Sequence, residues 1–127
     1  MTTDRRLTAD ESRAVGSKVR EEIARRRWSR QQLADAARAR GHEILGVFLF
    51  TDGVNNANQF ISPPGERNIA QRFEQLGAEG IEVVACTACA KFRGMRPNIK
   101  VEHVKLSGLG SLAGYLQNAD RVVSFGD

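Results

Sequence analysis

A chain of 127 residues, 41% hydrophobic and carrying a net charge of +4, is long enough to bury one core and too apolar to be disordered. Two cysteines exclude a disulfide framework, and no signal peptide or apolar run of membrane-spanning length is visible, so the expected compartment is a reducing cytoplasm. The positive excess is local: residues 1–43 carry 11 Lys/Arg against 7 Asp/Glu, whereas residues 44–127 carry 8 of each, a balance that argues against nucleic-acid binding by the larger part.

The first third reads as helix. Thr8 or Asp10 can cap a stretch from Glu11 to Arg27, in which Val15, Val19 and Ile23 recur at a spacing of four. Trp28-Ser29 interrupts it, and Ser29 can cap a second helix through Gln31, Leu33, Ala34 and Ala37 that ends near Gly41. Residues 8–37 resemble the first two helices of phage-repressor-type helix-turn-helix domains, but the helix that would read the major groove does not follow Ala37. A solvated helical face decorated with Arg and Lys explains the same residues and is preferred. The alternative is a DNA-associated regulatory or binding module using this basic segment.

From Gly41 the pattern turns α/β. Ile44 to Phe50 is a near-continuous apolar run, as in a strand covered on both faces, and it closes in the Asn-rich loop Thr51 to Asn58. Such a loop at a strand's carboxyl end is where an open α/β sheet places its site. Ser62-Pro63-Pro64-Gly65 stops the pattern and re-aims the chain. A helix from Glu66 to Leu76 is expected to turn Ile69, Phe73 and Leu76 inward and to end at Gly77 or Gly80.

Ile81 to Gly94 is the most informative stretch. It opens as a β-branched run and changes character at Cys86, so the expectation is a strand that ends where a cysteine begins a helix. Free backbone N–H groups there favour thiolate over thiol, with Lys91 and Arg93 adding positive potential. A buried cysteine acting as a small apolar residue is the bland alternative. Cys89 completes a C-x-x-C, which reads as a redox dithiol, half of a metal site or two unrelated core cysteines. Zinc is not expected, because His42 and His103 lack ligand-like spacing.

Met95 to Asn98 breaks the pattern again. Ile99 to Leu106 is expected as a third strand, alternating through Val101, His103 and Lys105, with His103 either a base or a satisfied polar residue. Ser107-Gly108-Leu109-Gly110-Ser111 leads into a helix from Leu112 to Asn118. No G-x-G-x-x-G is present, so nucleotide binding carries little weight. Asp120 to Phe125 reads as the last strand.

Several of these segments together resemble the DsrE/TusD family of sulfurtransferase subunits over residues 29–127: Gly41-His42-Glu43, Asp52-Gly53-Val54 with Asn56-Ala57-Asn58 and Pro63, Cys86 followed by Arg93-Gly94, Gly108-Leu109-Gly110-Ser111-Leu112 and Ala119 to Phe125. The resemblance implies a three-layer α/β sandwich with a mostly parallel sheet in flavodoxin-like order. It also implies that Cys86 carries sulfur as a persulfide, with Asn56, Asn58, Thr87 and Arg93 lining the site, Cys89 as a possible second thiol and no cofactor or metal. Partners would be two paralogous subunits in a heterohexamer, together with sulfur donor and acceptor proteins, in tRNA wobble-uridine thiolation or dissimilatory sulfur oxidation; membrane and direct nucleic-acid contacts are not implied. One departure stands out: the family begins with a strand that lies inside the sheet, whereas the sequence of residues 1–28 reads as a basic, helix-like extension. Another segment fills that strand's place, or a partner does, or the sheet is one strand short with an exposed edge.

Overall fold

The computed structural model describes residues 30–125 and side-chain environments from residue 33 onward. The helix expected over 11–27, its caps and most of the helix-turn-helix resemblance lie outside the described residues. In chain order the elements are α1 (Arg30–Ala39), β1 (Val47–Leu49), a 3-10 helix (Thr51–Ala57), α2 (Ile69–Ala78), β2 (Val83–Cys86), α3 (Thr87–Phe92), β3 (Val104–Ser107) and α4 (Leu109–Asn118). None of the described helices is long and apolar enough to cross a membrane.

The three strands form one open parallel sheet in the order β1-β2-β3, so the α/β expectation holds. β1 is hydrogen-bonded directly to β2, with Val47 beside Val83 and Leu49 beside Ala85. No further strand comes between them, and among the described residues the outer edge of β1 has no strand partner. Among the described residues the sheet thus lacks the inner strand that the resemblance implied.

Three helices end the same way. After α2, the Gly80 N–H donates to the Gly77 carbonyl and the Ile81 N–H to the Leu76 carbonyl, closing a Schellman turn that needs the left-handed backbone of Gly80 at φ 94°. Gly41 after α1 and Gly94 after α3 repeat the pattern at φ 82° and 67°. Gly80, rather than Gly77, thus terminates α2. Its start also differs from expectation: Asn68 Oδ1 accepts the Gln71 N–H at 3.0 Å, so the helix begins at Ile69 and leaves Glu66 outside. Ala70, Phe73 and Leu76 are buried, but Ile69, expected to face inward, is exposed at the first position of the helix, although it shares the face of Phe73.

Other expectations are corrected by the same hydrogen-bond accounting. The first and third strands are shorter than their apolar runs, because only residues 47–49 and 104–107 lie beside β2. The Asn-rich loop is a 3-10 helix that buries Val54 and Ala57 three residues apart, on the side chain row that this geometry eclipses. α4 starts at Leu109 rather than Leu112. Residues 120–125, expected as the last strand, carry no strand in the described chain.

Both faces of the sheet are covered. Val83, Ala85 and Val104 join Phe73 and Leu76 of α2 in the main core, with Ala34 of α1 packed at its margin. Val84 alternates onto the opposite face, is equally buried and lies outside that cluster. Gly46 and Glu82 share its parity, and there Tyr115 of α4 lies over Gly46 and donates its hydroxyl to Glu82 Oε1 at 2.8 Å. Any side chain at position 46 would overlap the Tyr115 ring, which explains a glycine at the head of a strand. Burial, together with the Glu82 carboxylate, pushes the Tyr115 hydroxyl well above the usual phenol range, so it remains a donor.

Candidate functional site

A parallel sheet sends all its carboxyl ends to one edge, and here that edge carries the 3-10 helix after β1, α3 after β2 and α4 after β3. Cys86 is the last residue of β2 and the N-cap of α3, as the change of pattern at that residue predicted. Its ladder neighbour on β3 is Ser107, whose hydroxyl lies 2.9 Å from that of Ser111 at the start of α4.

Cys86 is 3% exposed as a residue and belongs to the main core cluster. Its side chain makes no formal capping hydrogen bond. The Cys89 backbone N–H nevertheless holds the thiol below its ordinary value, against the opposing effect of burial, and the Cys89 thiol and the Ala88 N–H add to the shift. Burial and activation thus coincide on one atom. Cys89 lies three residues on, half-buried and packed against the same core, and both cysteines are free thiols.

Arg93, the C-cap of α3, fixes the far end of this short helix. Its Nε donates to Asp52 Oδ1 at 2.8 Å and one terminal nitrogen donates to the Cys89 carbonyl at 3.2 Å. The guanidinium therefore joins the 3-10 helix to the cysteine helix, across 41 residues of sequence. Thr51, which opens the 3-10 helix, has φ 49°, an uncommon conformation for a β-branched residue and a local strain at this same edge.

A DsrE/DsrF-like family profile matches residues 26–125. The chain belongs to the DsrE/DsrF-like family. It is 37% identical over 113 residues to the DsrE protein of Allochromatium vinosum, covering 78% of this chain and 86% of that one. It is 36% identical over 107 residues to the sulfurtransferase TusD of Enterobacter sp. strain 638, covering 74% and 84%. Among solved structures, the YchN protein of E. coli superposes with a TM-score of 0.67 at 30% identity, over 75% of this chain and 82% of that one.

Set in this family fold, the residues singled out from sequence separate into two groups. Cys86, Thr87, Cys89 and Arg93 all fall on the β2–α3 turn and its helix, and Asn56 sits half-buried on the 3-10 helix that packs against α3. Asn58 is engaged elsewhere: its Oδ1 accepts the Phe60 N–H at 2.9 Å and its backbone pairs with Lys100, so it builds a turn. His103 is held by Glu74 of α2, through a ring contact and a backbone N–H donated at 2.7 Å, and precedes β3 rather than alternating within it. Sequence reading did not single out Asp52 as an Arg93 partner. Its signal, an acidic residue at the start of a strand-end loop, is ordinary until the fold brings Arg93 to it.

Proposed function

We propose that the chain is a sulfurtransferase subunit that accepts sulfane sulfur on Cys86 as a persulfide and passes it to a protein partner. The observation that carries this reading is the position of Cys86: a thiol held toward its anionic form, at the carboxyl edge of the sheet, in a fold shared with relatives named as sulfurtransferases. A thiolate attacks the terminal sulfur of a donor persulfide, the donor leaves as its own thiolate, and the sulfur remains on Cys86; no metal or organic cofactor is required. The amide N–H groups that favour the thiolate favour the persulfide anion for the same electrostatic reason.

Asn56, Thr87 and Arg93 are assigned as site-lining residues. Arg93 positions the helix through Asp52 and the Cys89 carbonyl. Assembly with paralogous subunits is part of the proposal, and the edge of β1, without a strand partner among the described residues, and the exposed Leu109 and Leu116 on α4 are consistent with association. Intact-mass measurement after incubation with a sulfane donor tests the core of it. Wild type gains the mass of one sulfur atom, Cys86→Ser gains none, and Cys89→Ser still forms the adduct. An adduct on Cys86→Ser would place the carrier elsewhere.

A further inference from the structure

The C-x-x-C of this chain holds more chemistry than sulfur carriage uses. Cys86 and Cys89 occupy the N-cap and third helical positions of α3, one turn apart, and the Cys89 thiol is within hydrogen-bonding reach of the Cys86 thiol. Both pack against one core, and the buried Cys86 lies beneath the half-buried Cys89 in exposure. An external thiol reaching for a sulfur on Cys86 meets a residue that is 3% exposed, whereas Cys89 is already beside it. A nucleophile held in place competes at an effective concentration far above that of any external one.

We propose that Cys89 is a resolving thiol that converts a persulfide on Cys86 into free sulfide. The inference rests on the sulfur-carrier reading of Cys86. In the step, the Cys89 thiolate attacks Cys86 Sγ, the Cys86–Cys89 disulfide bond forms, and the bond to the outer sulfur breaks with hydrosulfide as the leaving group. The two thiols together lose two electrons and the sulfane sulfur gains them. The proton from Cys89 passes to the outgoing sulfur, which therefore leaves as hydrosulfide. An external thiol reductant, such as a small dithiol, returns the disulfide to two thiols. The chain would then have two outlets for one sulfur: transfer to a partner, and release as sulfide when no partner is docked.

The test loads the full chain with inorganic polysulfide, removes excess donor without reductant, and follows intact mass, non-reducing peptide maps and sulfide released over time. In wild type the added sulfur is lost, the Cys86–Cys89 disulfide appears and sulfide is released in step with it. Cys89→Ser retains the added sulfur, and Cys89→Ala does the same, which separates loss of the thiol from any effect of the serine hydroxyl on the helix. If wild type keeps its sulfur as long as both variants and forms no disulfide, the release step is wrong and the carrier reading stands. If no protein gains sulfur at all, the carrier reading itself is wrong and the release step falls with it.

Discussion

The two faces of the sheet are covered by unequal layers. On one, α2 drives Phe73 and Leu76 into Val83, Ala85 and Val104, and Cys86 joins that cluster. On the other, α4 has no buried residue, Leu116 is 53% exposed, and the contact rests on Tyr115 over Gly46 and its bond to Glu82. The difference places the cost of folding on the α2 face and leaves the α4 face free to accept other contacts. It also explains how Cys86 is held: its immediate surroundings are the densely packed part of the molecule.

Substitutions on the two faces test this asymmetry. Leu76→Ala removes a 2% exposed side chain from the α2 face and should lower stability by about 2–5 kcal/mol in urea unfolding, through lost burial and the cavity left behind. Leu116→Ala, the same chemical change on α4, should cost less than about 0.5 kcal/mol. Equal losses would mean that α4 is as much a part of the core as α2.

Tyr115→Phe probes the polar half of the thinner contact. It keeps the ring over Gly46 and removes only the hydroxyl donated to Glu82, so a loss of about 1 kcal/mol is expected. A loss as large as that of Leu76→Ala would show that the hydroxyl, rather than the ring, holds α4 in place.

The α2 side was also the more legible in sequence. Val83 to Cys86 had to be a strand because four small or β-branched apolar residues meet a change to helix formers at Cys86, and nothing distant is needed to see it. Phe73 and Leu76 were readable from helical spacing, and Gly80 from its place just past the helix. What could not be read depends on partners far along the chain. The length of β1 follows from how much of it lies beside β2, and Asp120 to Phe125 has strand composition but is not part of a strand in the described chain. Arg93 was noticed for its charge, whereas its function as a tie to Asp52, a carboxylate 89% exposed and 41 residues away, exists only in the fold. Thr51 gave no sign of its left-handed backbone, because β-branched residues normally avoid it.

The smallest expected effect lies at the back of α2, where Glu74 meets His103. The hydrogen bond and charge of Glu74 raise His103 above its ordinary value of 6.5, with Glu102 adding to the shift while Lys100 and slight desolvation oppose it. For Glu74 burial acts upward, but the side-chain and backbone hydrogen bonds from His103 outweigh it and hold the carboxyl below its ordinary value of 4.5. The signs then fix the window. The His103 contribution is complete below its ordinary value and disappears as pH rises through the raised one. The Glu74 contribution is complete above its ordinary value and disappears as pH falls through the lowered one. The pair is therefore strongest between 4.5 and 6.5. Thermal unfolding of wild type and His103→Gln across pH should show the largest difference in that interval, narrowing first on the alkaline side. Because His103 stands at the solvent face, the difference should remain far smaller than that of Leu76→Ala at every pH. A gap that widened above neutral pH would mean that the neutral imidazole, and not the charged pair, contributes to the α2 side.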